Sequence, residues 1–146
     1  MILLKILIVI MTFLFMEFVA WFAHKYIMHG FLWFLHKDHH QVDKNKKFQK
    51  NDYFFLIFAI PSIICLVVGA ESYNYLFFIG LGILLYGLAY FMIHEVIIHR
   101  RLPPPSKTKS KYIIAIRKAH KIHHKNRNKE HCINFGMLIV PIKYFK

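Results

Sequence analysis

Acidic residues are scarce: 7 Asp and Glu stand against 20 Lys and Arg in 146 residues, a formal net charge of +13. No P-loop, GxSxG or Rossmann glycine fingerprint occurs in the chain, so nothing in it points to a nucleotide bound by the chain itself. The two cysteines, Cys65 in an apolar run and Cys132 in a basic stretch, make neither a disulfide framework nor a CxxC metal site. The apolar N-terminal run lacks an A-x-A-like closing site and has only Lys5 as an early positive charge. It reads as a retained anchor and not as a signal peptide.

Apolar surface is abundant instead. At 57% hydrophobic and 17% aromatic residues, the chain exceeds what one soluble domain of this length can hide. The positive charge alone would suggest nucleic acid. Basic stretches lie between long apolar runs, however, which argues against a soluble nucleic-acid-binding module.

Three runs, Met1 to Ala23, Tyr53 to Ala70 and Tyr75 to Ile93, are long enough to cross a bilayer as helices. Only Glu71 to Asn74 joins the second and third, which predicts a tight helical hairpin. The C-terminal run Ile133 to Phe145 contains Pro141 and is too short to span, so a re-entrant or interfacial segment is expected. Segments 24–52 and 94–131 hold 17 of the 20 Lys and Arg and all 11 histidines. The positive-inside rule places both segments in the cytoplasm, below an inner-membrane anchor. Trp21 and Trp33 fit an interfacial aromatic belt. The expected fold is an all-α integral membrane protein, a single domain over 1–146. Its three transmembrane helices carry a cytosolic helical cap with a histidine-rich di-metal site.

The histidines repeat an order. His24 and His29 form an HxxxxH, followed by His36, His39 and His40 as an HxxHH; His94 and His99, then His120, His123 and His124, repeat both spacings. On an α-helix the HxxHH members lie within about 100° of arc, which makes a ligand cluster. The HxxxxH members are about 140° apart, too divergent to chelate one ion unless the helix breaks, and suit two neighbouring metal positions better. Gly30 and Pro103-Pro104-Pro105 are natural breaks between span and cytosolic helix. Ten imidazoles shared by two ions would give about five each, leaving room for oxygen or water.

Other residues carry two readings. Asp38 and Glu95 either orient ligating imidazoles through their free N–H or are solvated charges. His131 lies outside both patterns, as a surface or outer-shell residue. Glu17 is costly inside the first span, so it either faces the bundle interior or snorkels to the interface. Gly80, Gly82 and Gly87 allow close helix packing or line a substrate groove. The lysine run from Lys44 to Lys50 is a membrane-surface or solvated feature. A membrane protein that binds zinc or haem is the alternative of another class, although haem needs only one or two axial ligands.

The strings His24-Lys-Tyr-Ile-Met-His29-Gly30, His36-Lys-Asp-His39-His40, Ile98-His99-Arg100-Arg101 and Ala119-His120-Lys121-Ile122-His123-His124 resemble the bacterial β-carotene hydroxylases. These belong to the fatty acid hydroxylase superfamily of membrane di-iron oxygenases. Asn134-Phe135-Gly136-Met137-Leu138 resembles that family's Phe-Gly segment, so the likeness covers roughly Trp21 to Pro141. Glu95 stands where the family pattern tends to have Asp, and His131 is an additional histidine. The resemblance implies hydroxylation of β-carotene at ring carbon 3, giving β-cryptoxanthin and then zeaxanthin, with two non-haem irons, dioxygen and electrons from a reduced ferredoxin. It also implies that His24, His29, His36, His39, His40, His94, His99, His120, His123 and His124 are the iron ligands, with no catalytic residue beyond them. Ketolation, desaturation or hydroxylation of a lipid chain would use the same ligands. For the basic face, docking of an acidic ferredoxin is expected.

Overall fold

A computed structural model describes residues 1–43, 45–46, 48–103 and 108–145. Lys44 and Lys47 of the lysine run, and Pro104 and Pro105 of the proline break, lie outside the described residues. Five α-helices form among those described: α1 (Ile2–Phe22), α2 (Trp33–His40), α3 (Phe54–Ala70), α4 (Tyr75–Phe91) and α5 (Lys111–Lys125). There is no strand among them.

Three helical stretches are long and apolar enough to span a membrane: Ile2–Phe31, Lys50–Ala70 and Tyr75–Ile98. Their outer faces expose large apolar side chains such as Phe15, Phe18, Ile64, Val67 and Leu88, which only lipid can cover without cost. Helix α4 lies between the other two spans because its glycines let their backbones approach. A Cβ built on Gly82 would meet the Thr12 side chain of α1 at 2.6 Å, and one on Gly80 the backbone nitrogen of Leu66 in α3 at 2.8 Å. The Ser62 hydroxyl adds a buried hydrogen bond to the Gly80 carbonyl at 2.9 Å. Gly87 has open space at its Cβ position. The α3–α4 hairpin closes over residues 71–74, where the Asn74 side chain accepts the Leu76 N–H at 2.9 Å and caps α4. Met16, Ala20 and Tyr86 form the core between α1 and α4.

Two spans do not stop as ordinary α-helices. Helix α1 runs on into a π-helical segment, Ala23–Phe31, and α4 into another, Met92–Ile98. Gly30, with φ −96° and ψ −122°, breaks the first and lets the chain turn into α2. Helix α5 buries one stripe, Ala115, Ile116, Ala119, His120 and His123, and exposes Lys111, Lys118, Lys121 and Lys125. Its apolar part packs on Tyr144 of the last helical turn, Ile142–Phe145. The irregular C-terminal backbone folds back against α1, where the Glu17 carboxylate accepts the N–H groups of Met137, Leu138 and Ile139. Glu17 therefore faces the interior, and its bonds satisfy non-helical backbone that lipid could not.

Candidate metal centre

All ten motif histidines gather at one end of the helical bundle, although the two sets are about 70 residues apart in sequence, an interval like that from His24 to His94. Two groups have ligand atoms within 4.8 Å of one another: His24, His29, His36, His40 and His123, and His39, His94, His99 and His120. His124 completes neither by that measure. Its ring stacks on His40 at 4.4 Å and lies 4.5 Å from His120 and 4.9 Å from His99.

This grouping reverses the assignment drawn from α-helical spacing. Each HxxxxH pair converges on one group, because its backbone is π-helical. The His99 N–H reaches the His94 carbonyl at 2.9 Å, and an i→i+5 ladder brings residues five apart onto one face. The His94 and His99 rings are accordingly 4.5 Å apart, and those of His24 and His29 5.2 Å. Each HxxHH instead divides. His36 and His40 point to the first group and His39 to the second; His120 points to the second group and His123 to the first. The i+3 histidine thus crosses over in both motifs. In this pseudo-symmetric exchange His124 takes the position equivalent to His40, and the Nε2 atoms of both are buried with no hydrogen-bond partner.

Most of the rings are held from behind. Backbone carbonyls of Phe135, Lys129, Asn126 and Ile133 accept from Nδ1 of His24, His29, His40 and His123 at 3.0, 3.2, 2.9 and 2.9 Å. The side-chain oxygens of Asn51 and Gln49 do the same for His36 and His39, at 2.6 and 2.9 Å, and Glu95 for His94 at 2.6 Å. A carbonyl can only accept, so the proton of each such neutral imidazole sits on Nδ1 and Nε2 carries a lone pair. The Nε2 atoms of His29 and His123 nevertheless face each other at 3.2 Å. Two lone pairs cannot hydrogen-bond. They fit a shared cation, because imidazole nitrogens bound at about 2.1 Å and roughly a right angle stand about 3 Å apart. The His24–His36 and His39–His94 pairs repeat this at 3.2 and 3.1 Å. The donor set therefore fits a metal in each group, and all-imidazole sites suit iron, zinc or copper.

Asp38 touches no imidazole. It accepts the backbone N–H groups of Lys50 and Asn51 at 2.5 and 3.4 Å, and so steadies the turn whose Asn51 side chain holds His36. Arg101 joins Glu95 at 2.9 Å to Asp52, with two contacts of 2.6 and 2.8 Å. His131 is exposed, with φ 60°, outside both groups. Trp33 packs on His29 and His40, at 5.1 and 5.3 Å between ring centroids, so it covers the site, whereas Trp21 lies beside the Lys25 ammonium. Sequence reasoning missed Gln49, Asn51 and the four carbonyls. The two side chains carried only a faint signal, polar residues beside the second apolar run. An apolar cleft lined by Ala20, Ala23, Phe58, Tyr90 and Phe135 has His24 in its wall.

Burial keeps the rings neutral, the form that binds metal. It pulls His36, His39, His120 and His124 well below the ordinary imidazole value, and His99, with Arg101 and His40 adding repulsion, from 6.5 to about 4. These folded values lie below the unfolded one, so the unfolded chain takes up protons first as pH falls. The resulting stability is complete above pH 6.5 and drains away toward pH 4. Thermal unfolding of the metal-free protein in detergent is expected to show a midpoint that falls across this window. A flat profile would contradict it.

Residues 9–143 match the family model described as "Fatty acid hydroxylase". The chain is 41% identical over 135 residues to "Beta-carotene hydroxylase" of Pantoea ananas, covering 92% of this chain and 77% of that protein. Similarity to "Beta-carotene hydroxylase" of Paracoccus sp. (strain PC1) is 37% over 138 residues, 94% of this chain and 85% of that one. A plant relative, "Beta-carotene 3-hydroxylase, chloroplastic" of the Oncidium hybrid cultivar, is 36% identical over 77% of this chain and 38% of its own length. No solved structure matches the chain.

Proposed function

The chain belongs to the fatty acid hydroxylase family, an oxygenase assignment, and from that premise we propose that it hydroxylates β-carotene at ring carbon 3, giving β-cryptoxanthin and then zeaxanthin. The observation that carries the metal-dependent part is the facing of Nε2 lone pairs whose Nδ1 protons are already committed. We take residues 1–146 as one membrane-embedded unit, since the spans and both histidine segments build one site.

Two irons are the proposed metals. The first would be held by His24, His29, His36, His40 and His123, the second by His39, His94, His99, His120 and His124. Bound there, the irons supply the dioxygen chemistry that an unactivated C–H bond requires. The chain does the rest. Its carbonyls, amides and the Glu95 carboxylate fix the tautomer and direction of seven of the ten rings, and burial keeps the imidazoles unprotonated. Trp33 and Phe135 cover the first group with aromatic surface. The apolar residues beside His24 enclose only about 10 Å³, room for a water and not for a carotenoid ring. Selectivity for one ring carbon then rests on how the substrate is held beside the metals, since the ligands themselves would serve a ketolase or desaturase equally.

Expression in a β-carotene-producing bacterium tests this reading. β-Cryptoxanthin and zeaxanthin are expected in the pigment extract. Unchanged β-carotene, despite verified membrane insertion and an available donor, would overturn it; a ketone product would redirect it to ketolation.

We place the site on the cytoplasmic face of the inner membrane, supported by the basic residues around it. Lys37, Lys46, Lys50, Lys121, Lys125, Arg127 and Lys129 are exposed there and suit an acidic ferredoxin as electron donor. Reversing charge at Lys46 and Lys50 is expected to raise the KM for ferredoxin on the order of 10-fold and to weaken its salt dependence, with kcat at saturating donor little changed. Donor kinetics indifferent to both charge reversal and ionic strength would remove this docking face.

A further inference from the structure

Glu17 is 7% exposed in the part of α1 that lies within the first span, one of the least favourable places for a carboxylate. Four donors compensate it. Oε1 accepts the consecutive backbone N–H groups of Met137, Leu138 and Ile139 at 2.8, 2.9 and 3.0 Å, and Oε2 accepts the Tyr86 hydroxyl at 2.7 Å. Three successive N–H groups closing on one oxygen make an anion nest, here filled from within the chain. The nest needs Gly136 at its edge, since a Cβ there would meet the Ile139 carbonyl at 2.7 Å and Glu17 Oε1 at 3.3 Å.

The tethered segment supplies part of the metal centre. Just before the nest, the Phe135 carbonyl accepts from His24 and the Ile133 carbonyl from His123. The Phe135 ring packs edge-on against His24, His29 and His123 at 5.5, 5.1 and 5.2 Å. Residues 126–141 are non-helical, so no continuous helical ladder fixes these carbonyls. Asn134 gives a second tie, from its side-chain N–H to the Tyr144 hydroxyl at 2.8 Å. All three histidines contacted belong to the five-histidine group. The rings of His39 and His94 are held instead by Gln49 and Glu95, on other segments.

We infer that Glu17 is a positioning residue for the five-histidine site alone: by gripping the turn at 137–139 it sets the carbonyls that aim His24 and His123, and so the affinity of that one metal position. The inference rests on the proposed two-metal reading. A merely structural role would weaken both positions together, and this difference is measurable.

The full chain in detergent is loaded with ferrous ion under argon, and iron per chain and its release to a chelator are followed. The wild type is expected to hold two irons. The Glu17→Leu variant should retain one at the wild-type release rate and release the other roughly 10- to 100-fold faster, the usual effect of losing an outer partner. Glu17→Gln keeps an oxygen for the three N–H groups and should restore near-wild-type release. Where Glu17→Leu does not yield folded protein, Gly136→Ala, which presses the turn off the carboxylate without altering a span, should accelerate release from the same single site. Both irons held normally by Glu17→Leu or Gly136→Ala, both lost together, or a Gln variant no better than Leu would each overturn the positioning role. Fewer than two irons on the wild type would overturn the two-metal reading itself, a separate result.

Discussion

The His39→Ala variant is expected to lose the iron of the second histidine set, although His39 belongs by sequence to the first. Its ring lies 4.8 Å from His94 and 4.4 Å from His99, and its Nε2 faces that of His94 at 3.1 Å. On the proposed reading, removing it would take a ligand from the group built by the π-helical turn after α4 and by His120 of α5. Hydroxylation should fall by at least about 100-fold, since losing an outer partner alone commonly costs 10- to 100-fold. Iron should drop to about half. His123→Ala should do the converse and empty the five-histidine site. Paired variants make the crossing visible: His39→Ala with His94→Ala should cost no more iron than either alone, whereas His39→Ala with His24→Ala should leave the chain without iron. If His39→Ala and His24→Ala deplete the same site, the exchange of the i+3 histidines is wrong.

That exchange also shows where reading the sequence stopped. The three spans and the tight hairpin were legible because lipid demands long apolar runs and four residues leave one way to turn. The convergence of two distant histidine sets followed from three spans. Two assumptions misled: 100° of rotation per residue through His24–His29 and His94–His99, and that the three imidazoles on one face of an HxxHH helix serve one ion, whereas both helices are α-helical and still divide their histidines between the groups. Nothing in Lys-Tyr-Ile-Met or Glu-Val-Ile-Ile announces an i→i+5 ladder, which is rare and appears frequently at functional sites. Four of the groups that fix the rings are backbone carbonyls, which any residue type provides, so they leave no trace in composition. Glu17 was recognisable as costly within a span. Its partners were not, because three backbone N–H groups belong to no motif.

Asn51→Leu changes one buried atom contact yet is expected to weaken metal binding by roughly 10- to 100-fold. Asn51 is 8% exposed, and its side-chain oxygen accepts the hydrogen bond from Nδ1–H of His36 at 2.6 Å. Leucine has nearly the same shape and no acceptor. His36 is then free to move its proton to Nε2, which lies 3.2 Å from the Nε2 lone pair of His24. A proton between those nitrogens makes an ordinary N–H···N hydrogen bond where the wild type presents two lone pairs to an ion. The metal-free variant therefore keeps most of its thermal stability, while metal binding must return that proton to an Nδ1 that now lacks an acceptor, so iron affinity falls by a similar factor at every pH at which the ring is neutral. The discriminating measurements are iron affinity at pH 6.5 and 8 beside unfolding of the metal-free protein. An Asn51→Leu variant that unfolds far more easily without metal, yet binds iron as tightly as the wild type at both pH values, would show that Asn51 packs the cap and does not set the tautomer of His36.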